Sequence, residues 1–275
     1  MQRNILSAAT AAAIVLGLAA CGDSSAPRSL VSEEQESDDV AAAVADATSD
    51  DVNIFFSGEV TLPTLGTSVQ ADLAGDGRFW RFAERCPFDA GSGRFVCPVV
   101  NRGPLTVTRS FALADANGGA QSTFDPQLTA SANFAALITG HIEREHWTAD
   151  VERRRDVTVS GLAGRETSRE WDGQGSSSLS AEFDNGEVSR TVEAEGSVVV
   201  ADVVVQLPRS DFPWPISGTL THSISAERTR EGTAEVSRSF SRTATVTFNG
   251  TQFVDLQVGT KLFTLDLATG EVTAK

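Results

Sequence analysis

The chain has 275 residues, with 37 acidic against 22 basic side chains and a formal net charge of −15, and 40% of it is hydrophobic. That apolar content suffices for a real core, arranged as one large domain or two small ones. The acidic balance argues against nucleic acid as a partner, because phosphate contact needs a basic face, and against the folded domain lying flat on an anionic membrane.

Met1-Gln2-Arg3-Asn4 carries one positive charge, and Ile5 to Leu18 is an apolar or small-residue run too short to persist as a membrane-spanning helix. Residues 1–20 therefore read as a signal peptide. At its end, Leu18-Ala19-Ala20-Cys21 resembles the lipobox of bacterial lipoproteins. The resemblance implies that Cys21 is lipidated and heads the mature chain, with the membrane as its partner. Each buried acyl methylene contributes about 0.8 kcal/mol to such an anchor. In that family an aspartate directly after the cysteine commonly retains the protein in the inner membrane. Here Gly22 takes that place and Asp23 follows; the resemblance thus implies the cell envelope and, within it, the outer membrane.

Residues 21–51 read as an acidic tether. Glu33, Glu34, Glu36, Asp38, Asp39, Asp46, Asp50 and Asp51 face Arg28 as the counter-charge, with few large apolar groups among them. Within the tether, Asp39 to Ala47 has the composition of a short helix, acids at its positive end and alanines along its length. A solvated spacer is the other reading of the same stretch.

Residues 52–275 read as a single antiparallel β-domain. With Cys21 taken by lipid, Cys86 and Cys97 remain, and an even pair in an exported chain reads as a disulfide. Pairing them sets Phe88 opposite Phe95 and Asp89 opposite Arg94, around the loop Ala90-Gly91-Ser92-Gly93, all sensible cross-strand partners. The spacing is not CxxC and no histidine is nearby, so redox or metal chemistry is the weaker use of these thiols.

Period-two alternation dominates the rest. From Thr233 to Phe248 every odd position is polar, while the even ones carry Ala234, Val236, Arg238, Phe240, Arg242, Ala244, Val246 and Phe248. Ile216 to Ala226 and Val188 to Val200 repeat the pattern, which is that of half-buried strands. Turn dipeptides punctuate it: Gly75-Asp76-Gly77, Asn117-Gly118, Asn185-Gly186, Asn249-Gly250 and Thr269-Gly270. Asn-Gly suits the tight hairpin whose two central residues need positive φ. Pro213-Trp214-Pro215 marks a loop or an edge. The fold expected is all-β and antiparallel, a long-stranded twisted sheet or open barrel, with a β-sandwich as the alternative. A membrane-spanning β-barrel fits poorly: the chain has no tyrosine and ends without an aromatic residue.

Arginine recurs on the apolar side of these strands. Val107-Thr108-Arg109-Ser110-Phe111, Val188-Ser189-Arg190-Thr191-Val192 and Val236-Ser237-Arg238-Ser239-Phe240 share one pattern, and Arg242 continues the last. His222 sits on the apolar side of its own strand. A guanidinium there stays charged and must find a partner or water. Three resolutions are open: the head snorkels to the sheet rim, it pairs with a buried carboxylate, or Arg109, Arg190, Arg238, Arg242 and His222 line a wet cavity that binds a small amphipathic or anionic ligand.

No nucleophile elbow, phosphate-binding glycine loop, zinc-protease motif or calcium loop appears. His141, Glu143 and Glu145 share a strand face, but their spacing is loose for one ion, and Arg144 with Arg153-Arg154-Arg155 suggests surface ion pairs. No catalytic residue, metal site or cofactor is therefore expected. The expectation is a lipid-anchored, non-enzymatic envelope protein that binds a ligand or an envelope partner through its sheet. The alternative is a purely structural lipoprotein with a filled core.

Overall fold

The computed structural model describes residues 33–51 and 86–275 except 145, 165, 185–188, 209–210 and 232–235, with the backbone alone at 33–36, 39, 46, 49–51, 102, 144, 228, 230–231, 236 and 238. The signal peptide, Cys21 and the Gly75-Asp76-Gly77 turn lie outside the described residues.

Among the described residues one helix, α1 (Glu33–Asp51), precedes fourteen strands that all join one antiparallel sheet. Short strands come first: β1 (Phe88–Asp89), β2 (Arg94–Val96), β3 (Val100–Arg102), β4 (Leu105–Asp115) and β5 (Ala120–Gln121). Long ones follow as β6 (Thr129–Arg144), β7 (Trp147–Ser160), β8 (Ser168–Asp184), β9 (Ser189–Gln206), β10 (Ser217–Glu231) and β11 (Val236–Thr247). The chain closes with β12 (Phe253–Val258), β13 (Lys261–Asp266) and β14 (Val272–Ala274). The sheet path runs from β1 through β2, β4 and β6 and then in sequence order to β14, with β3 and β5 flanking β4. It is a meander, and its first and last strands do not pair with each other. The all-β expectation holds; a single sheet replaces the two of a sandwich. At about 3.3 Å per residue, the 18 residues of β9 span roughly 60 Å.

Turn chemistry explains the connections. Asn117-Gly118 turns β4 into β5, with Gly118 at φ 80°. Asn249-Gly250 and Thr269-Gly270 do the same before β12 and β14, their glycines at φ 82° and 76°. Pro213-Trp214-Pro215 lies in the loop before β10, as the prolines require. Phe88 pairs with Phe95 and Asp89 with Arg94, and Cys86 and Cys97 meet at disulfide-bonding distance across that hairpin, 11 residues apart in sequence. Closing so short a loop contributes about 3 kcal/mol by the chain-entropy argument. Urea unfolding with and without reductant is expected to differ by that amount, and coincident curves would remove the bond from the stability account.

The apolar side of the sheet carries the core. An aromatic ladder crosses it: Phe88 meets Phe95 edge-on at 5.1 Å, Phe95 stacks on Phe111 at 4.5 Å, and Phe134 follows at 6.3 Å and Trp171 at 6.5 Å. The cluster continues through Val200, Leu220, Val246 and Leu256 to Phe263 and Leu265. One phase slip keeps it continuous. In the run Val198 to Val205 the inward residues change from even to odd numbers, because β9 bulges at Ala201–Asp202 against both neighbours. Asp202 takes φ 51° there, and its N–H donates to Asp172 Oδ1 at 2.9 Å.

The acidic segment before the sheet departs from the tether reading. α1 is 19 residues long, where the sequence suggested Asp39 to Ala47, and its apolar side is packed rather than solvated. Val40, Ala41, Val44 and Ala45 are buried to 1% exposure or less within the main core. The helix lies across β10 to β14. Its docking rests on methyl groups at helical spacing, a small area for so long an element. No described helix is long and apolar enough to cross a membrane.

Candidate functional site

The register places the arginines of the long strands. On the core-facing side, one row across the sheet runs Arg109, Ala136, Arg155, Gly175, Val198, His222. The next runs Ile138, Arg153, Ser177, Gly196, Ile224, Arg242. His222 and Arg242 are therefore close on β10 and β11, whereas Arg109 on β4 lies at the far end of its row, and of the three only His222 lines the cavity under α1. Arg190 and Arg238 do not join them: Arg238 pairs with Arg228 and Arg190 with Arg230, nearer the hairpin ends. Arg190 is half-buried, its guanidinium 5.9 Å from the centre of the Phe183 ring, a cation–π contact.

Arg153 and Arg155 are the residues that reading by motif missed. The run Arg153-Arg154-Arg155 was expected at a charged surface, and alternation splits it. Arg154 points outward and pairs with Glu152 at 2.8 Å, whereas Arg153 and Arg155 take core-side positions and are half-buried. The alternation Val151, Arg153, Arg155, Val157, Val159 held the signal. Small partners make the room. A Cβ on Gly175 would stand 2.5 Å from Arg155 Nη1 and 2.7 Å from its Cδ, so the Arg155 stem lies where a side chain would be.

No aspartate or glutamate occupies a core-side position of β6 to β11 among the described residues, whereas Asp115 ends β4 in the same parity as Phe111 and Leu113. The acids of β6 to β11 face the other way, among serines and threonines. Ser180 Oγ donates to Glu193 at 2.6 Å and Ser237 Oγ to Glu227 at 2.9 Å. Along the long strands the carboxylates thus face solvent, while the arginines divide between the two faces.

Between α1 and the arginine rows lies a cavity of about 120 Å³. Ala43, Val44 and Ala47 form its roof, and Ile138, Ile142 and Ile224 are among its apolar walls. Polar residues along it include Glu152, Arg153, Arg155, Ser177, Glu195 and His222. His222 is 5% exposed, and its Nε2 lies 3.4 Å from Thr48 Oγ1 of the helix. An apolar pocket with two guanidiniums can hold a molecule that is apolar at one end and anionic at the other.

Other polar groups serve structure. Arg169 is half-buried at the core end of β8, and Trp171 is 2% exposed. Burial pulls the Arg169 guanidinium below its usual range, and Nη1 donates to the carbonyls of Gly161 and Ser168. Instead of gathering a metal, His141 sits on the solvent side with Nδ1 2.7 Å from Asp150 and Nε2 3.3 Å from Glu143. Asp150 first and Glu143 second raise its pKa above the ordinary 6.5. Its contribution to stability is therefore full below pH 6.5 and lost as pH rises through the higher folded-state value. Titration of the His141 ring by NMR is expected to show a lower midpoint in Asp150→Asn; an equal midpoint would mean the pair does not persist in solution.

Helix and sheet together define an all-β meander whose apolar face carries arginines beneath an acidic helix. Comparison with protein-family models, curated proteins and solved structures finds no match to this chain.

Proposed function

We propose that this chain is a lipid-anchored protein of the cell envelope, held in the outer membrane through Cys21, that binds an anionic amphiphile on the arginine-bearing face of its sheet. The activity is binding rather than catalysis. The observation that supports the reading is the cavity under α1, where Arg153 and Arg155 stand with Ile138, Ile142 and Ile224 on the core-facing side of the sheet. Half-buried guanidiniums beside apolar walls can take the charged end of such a ligand while its apolar end lies against the isoleucines. They suit a ligand that delivers its own negative charge.

Native mass spectrometry of the protein extracted from membranes in mild detergent tests this reading. The expected spectrum carries two additions, the acyl groups on Cys21 and a dissociable lipid or other anion. The second should be lost in the Arg153→Gln, Arg155→Gln double variant. Acylated but otherwise bare protein that also resists amphiphiles in thermal-shift screens would favour a structural lipoprotein instead.

A further inference from the structure

β11 outruns the strand that covers it. On one side it pairs with β10 without a break from Thr247 to Val236. On the other, β12 pairs only with Ala244 to Thr247, because the chain turns away at Gly259, whose N–H donates to the Thr243 carbonyl. Among the described residues, no strand pairs with that flank of β11 from Ser237 to Ser241.

The ladder also tells which backbone groups the flank presents. In an antiparallel pair a residue directs its N–H and C=O to the same side, and successive residues alternate sides. Thr243 bonds toward β12, whereas the Phe248 N–H donates to Gly218 on the β10 side. Odd residues of β11 thus serve the β12 side, so Ser237, Ser239 and Ser241 turn their backbone groups to the flank. Their side chains stand on the solvent face and are exposed.

Open strand edges are usually blunted by charge, proline or a bulge. Ser237 to Ser241 has no proline, no bulge against β10 and only serine on its outer side. The flank of β6 past Gly140, where β4 ends its pairing, instead carries His141, Glu143 and Arg144. The end strands of the sheet, β1 and β14, are only two and three residues long.

We propose that Ser237 to Ser241 is a pairing edge for a second copy of this chain, the two β11 strands joining antiparallel about a two-fold axis at Ser239. Length and charge fix that register. Ser237 meets Ser241 of the partner subunit and Ser239 meets its own counterpart, which makes about six backbone hydrogen bonds. On the core-facing side, position 238 falls opposite Phe240 of the partner subunit. Sliding the axis to Arg238 or to Phe240 shortens the ladder and sets arginine against arginine, 238 with 238 or 238 with 242. Glu227 pairs with Ser239 one strand in, and the two copies of it stand about 14 Å apart, where salt screens their repulsion. A two-fold contact closes at two copies, with both core-facing sides on one side of the joined sheet.

The test uses the full-length protein. Ser239→Cys sets two thiols on Cα atoms about 5.5 Å apart, within disulfide reach, so mild oxidation should link it as a dimer beyond the level in the native chain. Ser237→Cys alone should link about tenfold less, since its counterpart lies roughly 14 Å along the ladder. Mixing Ser237→Cys with Ser241→Cys should restore the linkage. In sedimentation, the average mass of the native chain should rise toward the dimer with concentration. Ser239→Pro removes only an N–H that points away from β10, so it should keep the native unfolding midpoint and associate about tenfold more weakly.

Equal linkage of Ser237→Cys and Ser239→Cys, native-like association of Ser239→Pro, or a chain that stays monomeric and unlinked would each overturn the pairing. Growth past the dimer would overturn the two-fold axis in favour of head-to-tail contact between β11 and β6.

Discussion

Gly218→Ala is expected to destabilise the protein by about 3–5 kcal/mol, read from urea unfolding of the variant beside the native chain. Two effects act together. Gly218 has φ +98°, a region that side chains rarely adopt. Its missing Cβ would also fall 2.3 Å from the carbonyl oxygen of Asp202 and 2.4 Å from the Cα of Val203. Both are backbone atoms in the β9 bulge, so the ladder between β9 and β10 must open for the methyl to enter. Gly259 separates the two terms. Its φ is +58° and nothing stands within 4 Å of its Cβ position, so alanine there carries conformational strain alone, about 1–2 kcal/mol. Similar losses at the two sites would show that packing against the bulge does not set the cost.

Trp171→Ala is expected to cost about 3–5 kcal/mol. Trp171 is the largest of the fully buried side chains and ends the aromatic ladder that begins at Phe88. Its ring is stacked near Phe134, two strands away, and therefore spans β7. Removing it leaves a void between backbones that are already hydrogen-bonded on both sides and have little freedom to close in. The same unfolding experiment applies, and a loss below about 1 kcal/mol would mean that the site collapses around the smaller side chain.

Much of this architecture is legible along the chain, because alternation reports a strand's two faces directly. Phe88 with Phe95 and Asp89 with Arg94 follow from the Cys86–Cys97 spacing, and the polar odd positions from Ser237 onward mark one face of β11. Two features resist such reading for identifiable reasons. The first is the β9 bulge, where the inward set passes from Val200 to Val203. A continuous run of valines disguises the slip, since valine is acceptable on either side of it. The second is α1. Val40, Ala41, Val44, Ala45 and Thr48 do share a helical stripe, but alanine is as common on exposed helices as in cores, and the surrounding acids suggest solvent.

The candidate site was partly legible. That arginines share a face with valine and phenylalanine follows from period two, and Arg109, His222 and Arg242 do take core-side positions, though far enough apart that only His222 lines the cavity. Which arginines gather depends on register between strands distant in sequence, which no single strand reports. Arg153 and Arg155 reach Gly175 and Ser177 only through the pairing of β7 with β8.

The seated helix also sets a length. If Cys21 carries the anchor, 12 peptide units separate it from Glu33, and a chain so short reaches at most about 40 Å. An isolated 19-residue helix is marginal in water. Seating on the sheet therefore keeps α1 folded, and with it the short reach of the domain from such an anchor.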